Sequence, residues 1–158
     1  MSLIARLEEL DIELPAPAAP VASYVPAQIA GDLLYISGQI SMQDGSVIEG
    51  RLGGTDAGIA ALSLEEGMVA ARACGIMLLA QAKAALEGDL DRIVACVRLG
   101  GFVACTADFK DHPKVINGAS DLMLDVMGEA GKHTRAAVGV PSLPLGAAVE
   151  IDGIFRIR

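Results

Sequence analysis

The chain has 158 residues, enough for one domain with a sizeable core, and 53% of them are hydrophobic although only 3% are aromatic. A formal net charge of −8 without any cluster of Lys and Arg excludes nucleic acid as the expected partner. The apolar mass is Ala, Leu, Ile, Val and Met, and so apolar a small domain is expected to bury surface against other subunits.

Residues 2–10 predict a short helix, with Ser2 as N-cap and Leu3, Leu7 and Leu10 on one side. This start lacks the uninterrupted apolar core and cleavage site of a signal peptide. No apolar run is expected to reach membrane-spanning length, so no membrane partner is expected. Pro15, Pro17 and Pro20 make a stiff connector, so residues 1–20 form a helix and proline-rich lead within one domain covering 1–158. Two strands follow near 23–29 and 32–37, separated by the turn Ala30-Gly31-Asp32. The second runs into Ser37-Gly38-Gln39, where a glycine lets backbone amides face a ligand. Residues 42–55 form a Gly-rich loop, with a short strand at 46–49. The loop lacks the Gly-Lys-Ser/Thr ending of a P-loop.

A long helix is predicted from Ser63 to about Glu87. Ser63 and Glu66 form a capping box, Gly88 stands at the C′ position, and Met68, Ala71, Ile76, Leu79 and Leu86 contribute a broad apolar face. Residues 91–105 carry β-type runs, with Gly100-Gly101 as a bulge or bend. A further helix begins near Pro113 and ends by Gly128 or Gly131. Cys74, Cys96 and Cys105 are an odd number without metal-ligand spacing and read as buried free thiols, which points to the cytoplasm. His112 and His133 flank helices, each without a nearby second ligand, so they read as solvated helix ends and no metal site is expected.

The closing stretch, 134–158, reads as two alternating strands joined by a Pro-containing loop. On the first, Arg135 shares a face with the small residues Ala137 and Gly139. On the second, Glu150 and Asp152 share one face, and Val149 and Ile151 take the other. If these strands are neighbours, a guanidinium fork and a carboxylate converge beside a gap that suits a small anion next to a base. The same residues would serve equally as a salt bridge across the sheet. The element order predicts an α+β fold, with two helices packed on one face of a mostly antiparallel sheet.

Four signatures resemble the reactive intermediate deaminase (Rid, YjgF-like) family, also labelled endoribonuclease L-PSP. They are the proline-rich lead from Ala16-Pro17 to Ser23-Tyr24, the strand Leu34-Tyr35-Ile36-Ser37-Gly38-Gln39-Ile40, and Asp108-Phe109 preceding Asn117. The fourth is Arg135 through Leu143-Pro144 to Val149-Glu150-Ile151. The resemblance implies a chorismate-mutase-like fold assembled as a homotrimeric barrel, with clefts between subunits. It implies hydrolysis of small enamine or imine acids of the 2-aminoacrylate type to 2-keto acids and ammonia, with no cofactor and no metal. Arg135 and Glu150 would be the catalytic pair, the first binding a carboxylate and the second standing near the attacking water. Tyr24, Ser37, Gly38, Asn117 and Ala137 would line the substrate cleft. An alternative within the same resemblance is a non-catalytic binder of small carboxylate metabolites in that cleft. The family's frequent Arg-x-Cys is Arg135-Ala136-Ala137 here, which removes a thiol. The segment from Phe109 to Asn117 is longer, and the N-terminal helix and 42–55 loop are extra, as in a longer subgroup. The old label also brings a ribonuclease reading, against which stand the acidic charge and the missing pair of histidines. RNA binding is therefore expected to be negligible at physiological salt. Saturable, Arg135-dependent RNA cleavage by the purified protein would contradict that expectation.

Overall fold

A computed structural model describes residues 2–17, 23–54 and 58–158. Part of the proline-rich connector, including Pro20, lies outside the described residues, as does the end of the Gly-rich loop at Thr55. Helix α1 spans Leu3–Glu9 and is capped by Ser2, whose Oγ accepts from Ala5 N. Its Leu3 and Leu7 are buried, and Arg6 Nε donates to Asp125 O at 2.8 Å, so α1 packs on α3 (His112–Met127). Strands β1 (Ala27–Ala30) and β2 (Leu33–Ile40) form a hairpin about the Gly31-Asp32 turn. β1 starts later than the sequence suggests, and β2 continues through Ser37-Gly38 by way of an irregularity between Ile36 and Gln39. The short strands β3 (Met42–Gln43) and β4 (Ser46–Val47) pair with each other, while β5 (Arg51–Leu52) pairs in parallel with β6 (Ala61–Leu62).

Helix α2 (Leu64–Ala85) starts at the predicted Ser63–Glu66 capping box. Its C-terminal turn differs from expectation by one residue. Glu87 already takes the left-handed conformation (φ 54°), Gly88 follows at φ 93°, and Gly88 N donates to Lys83 O at 2.8 Å to close the turn. By length and composition α2 could cross a membrane, which corrects the expectation that no apolar stretch is long enough. Yet 61% of its most apolar window is buried inside the fold, as befits a core helix.

Strands β7 (Ile93–Ala104), β8 (Thr134–Val140) and β9 (Val149–Ile157) complete a five-stranded sheet in the order β1-β2-β9-β7-β8. The sheet is mixed: β7 and β8 run parallel and the other pairs antiparallel. Three helices build the domain, the N-terminal α1 and the two expected on the sheet, α2 and α3, laid on one sheet face. β9 shows the predicted alternation without exception: Val149, Ile151, Phe155 and Ile157 are buried beneath the helices, and Glu150 and Asp152 point to the other face. The expected bulge at Gly100-Gly101 is absent, because the β7–β9 register runs unbroken from Leu99 to Val103. These glycines instead allow close approach. A Cβ on Gly101 would lie 2.6 Å from Ile116 Cδ1 of α3, and one on Gly100 would lie 2.6 Å from Asp152 Oδ1.

The α2–α3 contact is tightest at Gly118, where an added Cβ would collide with the Met68 carbonyl oxygen. At Gly75 the equivalent atom would meet Leu122 Cδ2, the end of a flexible side chain, at 2.8 Å. Gly118→Ala should therefore cost about 2 kcal/mol or more in denaturant unfolding, because backbone cannot yield. In Gly75→Ala, helix propensity of about 1 kcal/mol offsets the side-chain shift, leaving stability within about 1 kcal/mol of wild type. Equal losses in the two variants would show that backbone approach is not the constraint.

Candidate functional site

Arg135 stands on β8, in register with Leu99 of β7, so it lies on the helix side of the sheet at its open edge. Its guanidinium lies along α3. Nη1 donates to Ser120 Oγ at 3.0 Å and Nη2 to Pro113 O at 3.2 Å. Pro113, Asn117 and Ser120 fall at i, i+4 and i+7, so Asn117 belongs to the same strip of helix that the guanidinium spans. Ala137 follows Arg135 on this face, partly buried, and Gly139 comes next. Arg135 remains exposed, and these two bonds use two of the five N–H donors of its guanidinium.

Beyond Ala137 the same face carries a feature that the sequence did not single out. Cys105 Sγ lies 3.4 Å from His112 Nε2, and the His112 ring meets Phe109 edge-on with centroids 5.3 Å apart. A Cβ at Gly139 would collide with His112, so glycine lets β8 close over the pair. With Arg51 these residues line a cavity of about 330 Å³. The Cys105 thiol thus lies beside Gly139, one position along the face from Ala137. Burial pushes Cys105 above the usual thiol range despite a hydrogen bond from the Val140 backbone and the charge of Arg51, so the thiol stays protonated at neutral pH. The other two predicted free thiols, Cys74 and Cys96, are buried as expected, and burial pushes Cys96 up to about 12.

Glu150, Ser37 and Gly38 gather on the opposite face. Glu150, on β9, reaches the β2 irregularity, where a Cβ on Gly38 would collide with Glu150 Oε1, so the glycine admits the carboxylate against the backbone. Ser37 Oγ donates to Val25 O at 2.8 Å, which holds the segment between Tyr24 and β1. Tyr24 itself is 56% exposed. Beside them a depression of about 460 Å³ is lined by Gln28, Tyr35, Ser37, Gly38, Arg98 and Asp152. Arg98 Nη1 donates to Asp152 Oδ1 at 3.0 Å, an ion pair the sequence did not reveal because the bulge between Cys96 and Arg98 sets the side of the sheet Arg98 takes. Burial, and then the neighbouring Asp152 charge, raise Glu150 above the usual carboxylate pKa.

The predicted site is therefore divided. The two closing strands are not neighbours, because β7 lies between them, paired parallel to β8 and antiparallel to β9. Arg135 and Glu150 occupy opposite faces of the sheet, so they neither converge within one chain nor form a salt bridge across it. One half-site holds Arg135, Asn117 and Ala137. The other holds Glu150, Ser37 and Gly38; Tyr24 is exposed and joins it only through its neighbour Val25, whose carbonyl Ser37 holds. The histidines are likewise not free helix ends: His112 contacts Cys105 and Phe109, and His133 bonds to Ser120 and Gly131. Among the described residues, no His, Cys, Asp and Glu side chains group as metal ligands would.

This α+β arrangement, a mixed sheet beneath helices with a Ser-Gly-Gln irregularity and an arginine on the edge strand, defines a YjgF-type fold. The family model described as "YjgF/chorismate mutase-like, putative endoribonuclease" matches residues 4–153, and the chain belongs to this family. It is 46% identical over 156 residues to Protein TCP17 of Trypanosoma cruzi, covering 98% of this chain and 93% of that protein. The crystal structure of Atu1372 from Agrobacterium tumefaciens, a protein of unknown function, superposes with a TM-score of 0.87 at 45% identity, covering 99% of this chain and 92% of the other. A Shewanella oneidensis structure that carries the endoribonuclease description superposes with a TM-score of 0.90 at 34% identity, covering 99% and 100%.

The raised pKa of Glu150 has a stability consequence. An acid with a higher pKa folded than unfolded is favoured in its protonated form by the fold. Its ionisation therefore costs stability as pH rises above the unfolded carboxylate range, and the cost is absent below that range. Because Glu150 is only half-buried, solvent screens much of this effect. Glu150→Gln should raise the melting temperature by roughly 2 °C at pH 8 and leave it unchanged at pH 4. A lower melting temperature at pH 8 would show that the carboxylate is stabilising instead.

Proposed function

We propose that the protein hydrolyses small enamine or imine acids of the 2-aminoacrylate type to 2-keto acids and ammonia, without cofactor or metal, in clefts between subunits of a cytoplasmic homotrimer. The observation that carries this reading is the division of the site. A guanidinium with open donors lies at one exposed sheet edge, and a carboxylate of raised pKa lies on the other face, so a second copy is needed to bring them together. The apolar composition supports the presence of such interfaces.

In this reading Arg135 binds the substrate carboxylate through its remaining N–H groups, and Ala137 leaves room beside it. Tyr24, Ser37 and Gly38 from the neighbouring copy close the cleft, with Asn117 flanking the arginine. The enamine tautomerises to the imine, whose C2 is electrophilic. Glu150 takes a proton from water as the oxygen bonds to C2 and delivers it to the imine nitrogen, giving a carbinolamine; it then takes the carbinolamine hydroxyl proton and gives it to the amine as the C=O forms and the C–N bond breaks. Imine and water become keto acid and ammonia. A carboxyl with a raised pKa suits both proton transfers near neutral pH.

Three measurements test this. Light scattering should report about three times the 16.2 kDa chain mass at micromolar concentration. With enzymatically generated 2-aminoacrylate, the wild type should accelerate ammonia and keto-acid release, Arg135→Ala should abolish it, and Glu150→Gln should lower turnover about a hundredfold while carboxylate affinity holds. Unfolding and refolding a mixture of the two inactive variants should restore part of the activity, because mixed trimers contain an interface with Arg135 and Glu150 both intact. No recovery from properly assembled mixed trimers would place the site within one chain. Ligand-induced thermal stabilisation without turnover would instead identify a carboxylate binder that uses the same cleft.

A further inference from the structure

Arg135 is held by a chain of hydrogen bonds that no part of the proposed chemistry requires and that the sequence pattern did not reveal. Its Nη1 donates to Ser120 Oγ at 3.0 Å, Ser120 Oγ lies 3.0 Å from His133 Nε2, and His133 Nδ1 lies 2.6 Å from Gly131 O. The last contact sets the direction of the whole chain. A carbonyl oxygen can only accept, so Nδ1 carries a proton, and in the neutral imidazole Nε2 is then bare. Bare Nε2 takes the Ser120 hydroxyl proton, which leaves the lone pairs of Oγ facing the arginine. Every donor points the same way, from guanidinium to hydroxyl to imidazole to carbonyl, and each bond polarises the next.

Local structure puts these groups in place. Ser120 lies on α3 one helical turn beyond Asn117. The 3-10 turn Gly128–Gly131 ends α3 and delivers His133 immediately before β8. Gly131 is packed so closely that a Cβ there would collide with the Met123 carbonyl oxygen, which fixes the accepting carbonyl against the helix. Arg135 is exposed on an edge strand and has many rotamers available, so an unsupported guanidinium would pay ordering entropy each time it gripped a ligand. Bonds at Nη1 and Nη2, to Ser120 and to Pro113 O, set the guanidinium plane in advance.

We propose that His133, in its Nδ1–H form and acting through Ser120, is a positioning residue for Arg135 that pre-sets the guanidinium plane for a planar carboxylate. The proposal rests on the reading of Arg135 as the carboxylate clamp. His133 does not touch the ligand. It keeps the Ser120 hydroxyl turned so that its oxygen accepts from the arginine.

The test uses the full-length protein and pyruvate as the planar carboxylate probe, with affinity measured by calorimetry. Ser120→Ala and His133→Leu should each weaken pyruvate binding about tenfold, the scale of one hydrogen bond to a charged group. The double variant should be no weaker than Ser120→Ala alone, because the histidine acts through the serine. His133→Gln places an amide oxygen where Nε2 stood and should restore most of the affinity. Nitrogen NMR of the wild type should show His133 protonated at Nδ1 and bare at Nε2. If His133→Leu does not fold, Ser120→Ala, His133→Gln and the NMR result decide the matter. Loss of pyruvate binding in Arg135→Ala, with full affinity in Ser120→Ala and His133→Leu, would overturn the positioning role and leave the clamp standing. An Nε2–H tautomer would overturn the direction of the chain. Equal pyruvate affinity in Arg135→Ala and wild type, or no binding by either, would remove the clamp and the positioning role together.

Discussion

Strand β7 is the constraint on which the rest of this structure depends. It takes β8 as a parallel partner on one side and β9 as an antiparallel partner on the other. A parallel partner cannot be reached by a tight turn, so the chain must cross over the sheet, and α3 is that crossover. The crossover brings the strip Pro113–Asn117–Ser120 over the helix-side face of β8, where Arg135 meets it. The antiparallel side returns β9 against both β7 and β2, with Glu150 on the face away from the helices. One strand thus sets the positions of both candidate half-sites and keeps them apart.

The core enforces this geometry by close packing. β9 alternates buried apolar and half-exposed polar residues, so a slip of one residue would drive Glu150 and Asp152 under α2 and expel Val149 and Ile151. The fully buried Ser41 pins the β2 end of the sheet. Its Oγ donates to Ile48 O at 2.9 Å and accepts from Val149 N at 3.3 Å, tying the β3–β4 hairpin to the first residue of β9. Glycines serve close approach at the points where function meets packing: Gly38 against Glu150, Gly100 against Asp152, Gly139 against His112. Each trades backbone freedom in the unfolded chain for contact that a Cβ would prevent.

Much of this was legible in the residues themselves, for local reasons. The Ser63–Glu66 box, the Ser2 cap, the Pro113 helix start and the period-2 pattern of β9 depend on neighbours within a few positions, and each appears where expected. Boundaries that depend on a neighbouring element moved. β1 begins at Ala27, because pairing with β2 reaches only from Ala27 to Ala30. The left-handed turn begins one residue early, at Glu87, with Gly88 also at positive φ, and the Gly88 N–H closes the turn on Lys83 O. The Gly100-Gly101 pair looked like a bulge from within β7, whereas its cause lies in Ile116 and Asp152 on other elements.

By itself the sequence determined the face that each candidate residue takes on its own strand: Arg135 with Ala137 and Gly139, and Glu150 with Asp152. Side-chain direction in a strand alternates by backbone geometry alone, and no tertiary information enters. Only the tertiary structure decided which strands are neighbours, and so it separated Arg135 from Glu150 across β7. It likewise joined His133 to Arg135 through Ser120, and Cys105 to His112. Strand order and helix placement follow from how buried faces pack together over long separations in the chain, and no short window of residues encodes that.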